Sequence, residues 1–98
     1  MTLDDAVSRL RHFAPAIRAM GATSLFVFGS TARNEARMDS DLDLFIDYDP
    51  ESRFNAFDLV GIKLFLEDEL HSRVDLTTRD SLHPMLKKDI ESAAVRVF

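Results

Sequence analysis

Leu25-Phe26-Val27-Phe28-Gly29-Ser30 is followed, after ten residues, by Asp41-Leu42-Asp43-Leu44. The apolar run from Ser24 to Phe28 has the length and composition of a central strand covered on both faces. Gly29 allows a sharp turn and brings backbone amides close to an anion. Ser30 stands at the start of a short helix read over residues 31–37, where free N–H groups favour phosphate. Asp41 to Tyr48 alternates: Leu42, Leu44 and Ile46 share one face, and Asp41, Asp43, Phe45 and Asp47 share the other. A turn able to cradle phosphates and two carboxylates on one strand face are what holding a nucleoside triphosphate and its magnesium requires.

A third acid follows from the same parity. Arg73 to Thr77 reads as a strand, with Val74 and Leu76 toward the core and Asp75 and Thr77 away from it. If this strand neighbours the one carrying Asp41 and Asp43, the three carboxylates converge. Strand residues two apart lie ~6–7 Å from each other, and carboxylates that close repel unless a cation sits between them. Two magnesium ions ~3.5–4 Å apart would suit such a set. Asp75 is then both a ligand and the general base for an incoming hydroxyl. Arg33, one turn beyond Ser30, reaches toward the same phosphates, with Arg37 a weaker second.

The remaining pattern supplies helices. Leu3, Val7, Leu10, Ala14 and Ile17 form an apolar stripe over residues 2–20, which Pro15 kinks or divides and Gly21 ends. Residues 53–70 read as a long helix through Phe54, Phe57, Val60 and Leu64, with Gly61 allowing close packing. Residues 84–94 read as a last helix with Pro84 in its first turn, and Val95 to Phe98 as an edge strand. The order α-β-α-β-α-β-α, with a last β, predicts a layered α/β or α+β sheet flanked by helices. At 98 residues the expectation is one domain, 1–98.

Composition narrows the classes. With no cysteine, disulfides and thiolate metal sites are excluded. His12, His71 and His83 lack metal-ligand spacing, and His71 is placed to meet a helix dipole. A net charge of -5 with scattered basic residues argues against autonomous nucleic-acid binding. The start of the chain lacks the form of a signal peptide and no stretch is long enough to span a membrane, so the expected location is cytoplasmic. The phenylalanines read as core, except that Phe45 shares the acids' face and is a candidate to stack on a base. Asp47 has the acids' parity but lies too far along the strand to join the same metal. Tyr48 is the only tyrosine, a weak candidate for self-modification.

Gly29-Ser30, ten residues, Asp41-X-Asp43 resembles the signature of the nucleotidyltransferase-fold superfamily, which contains DNA polymerase beta and kanamycin nucleotidyltransferase. The fuller string from Leu25 to Arg33 and from Ser40 to Leu44 is similar to the minimal nucleotidyltransferases. The likeness covers nearly the whole chain, including Val74-Asp75-Leu76 and the tail. It implies a mixed sheet flanked by helices, metal ligands Asp41, Asp43 and Asp75, and a partner encoded alongside: a HEPN-domain ribonuclease toxin, to which this chain would be the antitoxin. Some members transfer AMP from ATP to a tyrosine of the toxin. One departure stands out: the family often has a glycine before the third strand, where this chain has Leu70-His71-Ser72-Arg73.

Larger relatives carry further domains for their substrates, and this chain has no length for one. The expected acceptor is therefore a partner protein. The rival expectation is a binding module that silences its partner by covering it, with nucleotide serving only to stabilise the fold. A small-molecule transferase of the aminoglycoside type would need a second domain or a site built between two copies.

Overall fold

A computed structural model describes residues 1–98. Its centre is a four-stranded sheet in the order β3-β2-β1-β4, with β1 at Ala22–Phe28, β2 at Leu42–Tyr48, β3 at Val74–Thr78 and β4 at Val95–Arg96. β2 and β4 pair antiparallel with β1, whereas β3 runs parallel to β2. The sheet is thus mixed, as the resemblance to the minimal nucleotidyltransferases implied. The parallel pair needs a crossover, and the helix α4 at Ala56–Leu70 supplies it.

Parity divides the sheet into two faces of different character. Leu25, Val27, Leu42, Leu44, Ile46, Val74 and Leu76 form the main core with Ala6, Leu10 and Ile17 from the N-terminal helices and Ile62, Leu66 and Leu70 from α4. The opposite face carries Phe26, Phe28, Asp43, Phe45 and Asp75. The predicted N-terminal helix is two helices, α1 at Leu3–His12 and α2 at Ala14–Ala19. Pro15 lies in the first turn of α2, where its missing N–H costs nothing. Thr2 caps α1 by accepting from the Asp5 N–H at 3.1 Å. Gly21, at φ 115°, carries the chain from α2 into β1.

Other boundaries differ from the sequence reading for local reasons. The helix after Ser24–Phe28 is α3, four residues at Gly29–Ala32, earlier and shorter than residues 31–37. Asn34 ends it in the left-handed region and accepts from the Leu3 N–H at 3.0 Å, tying this loop to the start of α1. α4 begins at Ala56 rather than near Arg53, because Asn55 and Asp58 form a reciprocal capping box. The last helix, α5, spans Lys87–Ala93, and Pro84 lies in the preceding turn.

Two expectations for α4 are corrected. Phe57 is 89% exposed, and Val60 and Leu64 also face outward. The buried stripe is Ile62, Leu66 and Leu70, so the helix is apolar on two sides and periodicity alone could not select the inner one. Nor does Gly61 permit a close approach: a Cβ there would lie 3.7 Å from Met20, an ordinary contact.

Candidate active site

The site is built by strand register. In the parallel β2–β3 pair Asp43 stands directly opposite Asp75, between the pairs Leu42–Val74 and Leu44–Leu76. Neighbouring strands lie about 4.8 Å apart, so two carboxylates share one spot on the sheet. On its other side Asp43 pairs with Phe28, the last residue of β1. Gly29 therefore turns immediately beside the Asp43 side chain.

Gly29 is dictated by that neighbour. Its φ is 69°, and a Cβ added there would collide with the Asp43 carboxylate. A non-glycine residue would meet both a left-handed backbone and a clash. Ser30 follows in α3, its carbonyl accepting from the Glu35 N–H at 2.8 Å, while the Gly29 carbonyl accepts from the Arg33 N–H at 3.3 Å. These bonds fold residues 29–35 into a tight turn against the acid face.

Asp43 feels the crowding. Partial burial first, then the Asp75 and Asp41 carboxylates, push its pKa above the usual aspartate value, and Arg33 pulls it partly back. Asp41, just outside β2, is held by Arg73 at 3.2 Å. Arg33 is held by Glu35 at 3.0 Å. The Arg37 backbone N–H donates to Ser40 Oγ, closing the loop ahead of the acids.

No set of three acidic, histidine or cysteine side chains stands at metal-ligating spacing. The donor set nonetheless fits a hard divalent cation: only carboxylate oxygens, crowded enough to repel, and neither Asp43 nor Asp75 in any ion pair. Asp41, Asp43 and Asp75 are the residues that would hold magnesium.

Phe45 does not line this site. It is fully buried, stacked on Phe26 at 4.7 Å between ring centres and tilted against Phe28 at 5.8 Å. The Arg79 guanidinium covers the stack, 4.8 Å from Phe26 and 5.1 Å from Phe45. It also donates to both oxygens of Asp47, at 2.7 and 3.0 Å, and to Glu91 of α5 at 2.7 Å. Asp47 is thus a structural partner, as its distance from the acids implied. Arg79, Glu35 and Arg73 were the residues missed in the sequence. Only Arg73 carried a signal: it shares the parity of Asp75, two residues on.

Tyr48 donates to Asp80 at 2.9 Å and stacks on Phe54 at 4.9 Å. The two clefts beside it, one lined by Arg79 and Lys87 and the other by Phe54 and Leu59, touch none of the three acids.

The nucleotidyltransferase domain family matches residues 10–97. The chain belongs to this family. The nucleotidyltransferase is 32% identical over 98 residues to the protein adenylyltransferase MntA of Thermococcus cleftensis, covering 99% of this chain and 97% of that one. It is 37% identical over 88 residues to a Methanocaldococcus jannaschii protein provisionally named a protein adenylyltransferase, covering 90% and 92%. A solved structure provisionally described as a minimal nucleotidyltransferase matches it with a TM-score of 0.82 at 35% identity, over 97% of this chain and 95% of that one. The same fold recurs, at 15% identity and a TM-score of 0.64, in the complex of a tri-AMPylated Shewanella oneidensis HEPN toxin with its MNT antitoxin. That match covers 90% of this chain and 68% of the other.

Proposed function

We propose that this nucleotidyltransferase moves AMP from ATP to a tyrosine hydroxyl of a HEPN-type toxin and so acts as the antitoxin of the pair. One observation carries the reading: Asp43 and Asp75 stand opposite each other in register, against a glycine turn that admits no side chain. The curated relatives named as protein adenylyltransferases support the acceptor class, and the HEPN complex of the same fold supports the partner. A cytoplasmic setting suits a reaction that consumes ATP.

In this reading Gly29 and Ser30 receive the triphosphate with backbone N–H groups and the serine hydroxyl. Arg33 exchanges Glu35 for the phosphates. Asp41, Asp43 and Asp75 would hold magnesium, which would supply Lewis-acid polarisation of the α-phosphate and charge screening for the leaving pyrophosphate. Asp75 accepts the proton of the attacking hydroxyl. The acceptor oxygen attacks in line, the bond to the β-phosphate bridge breaks, and AMP stays on the acceptor. The acid face is open, so the partner's surface completes the site and excludes water.

The test is intact-mass analysis of the partner after incubation with this protein, magnesium and ATP. Gain of one or more AMP units, lost in Asp41→Asn and in Asp43→Asn, is expected. A partner that is silenced with no added mass, by wild type and both variants alike, would replace the enzyme with a binding module.

A further inference from the structure

Of the three acids, Asp41 alone carries a basic partner. Arg73 Nε lies 3.2 Å from Asp41 Oδ1, and Arg73 Nη2 donates to the Asp39 carbonyl at 3.4 Å. The pairing extends the β2–β3 register by one step: the Leu42 N–H donates to the Arg73 carbonyl at 3.0 Å, so Arg73 stands opposite Asp41 as Asp75 stands opposite Asp43. A basic side chain therefore stands on one of the three carboxylates, which do not form a three-ligand set in this structure. The pair is open to solvent, with the arginine side chain 75% and the aspartate 48% exposed. Exposed pairs of this kind are weak, so the arginine can be displaced.

We propose that Arg73 is an internal counter-ion that competes with the divalent cation for Asp41, closed on it in the metal-free protein and released from it when the cation binds. Arg73 is thus a positioning residue that sets the metal affinity of the site. Its grip on the Asp39 carbonyl makes it a brace for the loop leading into β2, so metal entry frees that loop as well as the carboxylate. The inference rests on the reading of the acids as a metal site.

Manganese binding to the full chain without nucleotide, followed by electron paramagnetic resonance, tests it. Arg73→Gln removes the competitor and is expected to tighten binding about two- to fivefold, as an exposed pair allows. The gain shrinks at high salt, and Arg37→Gln, which removes a nearby charge without touching Asp41, gives a smaller one. In a parallel magnesium titration the Arg73 Nε resonance shifts with the metal and ceases to move at saturation. Arg73→Gln binding no tighter than wild type, Arg37→Gln matching it, or a stationary Nε resonance would each overturn the proposal. Asp43→Asn separates the two levels. If it loses manganese while Arg73→Gln gains nothing, only the counter-ion role fails. If it binds as wild type does, or wild type binds none, the metal-site reading falls and the counter-ion role with it.

Discussion

Asp43 holds its carboxylate between Asp75 and the Gly29 turn, where burial first and the neighbouring acids next disfavour its charge. Placing charge there costs stability in the metal-free protein. Asp43→Asn is nearly isosteric and removes that repulsion. At neutral pH with a chelator present, the variant is expected to be modestly more stable than wild type, read as a higher melting temperature, while transferase activity is lost. Equal or lower stability would mean that the strain is relieved elsewhere. Arg73 and Glu35 illustrate why part of this neighbourhood was hidden in the sequence. Parity put Asp41, Asp43 and Asp75 on one face, because side-chain direction in a strand depends only on counting. The partners of Asp41 and Arg33 depend on side chains reaching sideways, which counting does not report.

At the scale of elements, α4 passes into β3 through His71, which caps the helix at φ 51°, ψ 41°. The glycine common at such a turn is absent, yet the backbone makes the glycine conformation with a histidine. Left-handed backbone costs a non-glycine residue roughly 1–2 kcal/mol, partly offset by the freer unfolded chain that glycine brings. His71→Gly should therefore raise stability by about 0.5–1 kcal/mol in denaturant titration, with activity unchanged. A loss of stability would show that the imidazole contributes a contact worth more than the strain. The elements themselves were legible wherever one face was apolar and the other polar, as in α1 and β2. The inward face of α4 was not, since Phe57, Val60 and Leu64 are as apolar as the buried Ile62, Leu66 and Leu70. The burial of Phe45 escapes strand parity for a related reason. The acids' face is wet at Asp43 and closed at Phe45, where Arg79 binds Glu91 of α5 and lies over the ring. A single parity cannot show where along a strand the cover begins.

Across the whole molecule, the end of β2 is joined to the 3-10 turn at Arg79–Ser81 by Tyr48 and Asp80. Hydrogen bonds from Thr78 and then Tyr48 hold the Asp80 carboxyl below its usual pKa, and the bond to Asp80 holds the Tyr48 hydroxyl above its own. The signs are opposite and define a window. Asp80 contributes stability above the ordinary carboxylate value of ~3.9 and loses it as pH falls through the lowered one; Tyr48 contributes below ~10 and loses it as pH rises through the raised one. Both groups are solvent-facing, so the effect on melting temperature is small. As the chain has one tyrosine and no tryptophan, ultraviolet titration reads Tyr48 alone. Its transition is expected above that of the unfolded chain, and Asp80→Asn should move it back down. An unchanged transition in that variant would remove the pair from the account.

The parallel pairing of β2 with β3 also has a consequence in time. The two strands are separated in the chain by all of α4, so their pairing is a non-local contact that must wait for the crossover to close. Until it does, Asp43 has no Asp75 beside it, and a nascent or partly unfolded chain brings together only two of the three acids proposed to hold a cation. If the proposed metal site holds, capture of a divalent ion would signal completed folding, and an unfinished molecule would be silent.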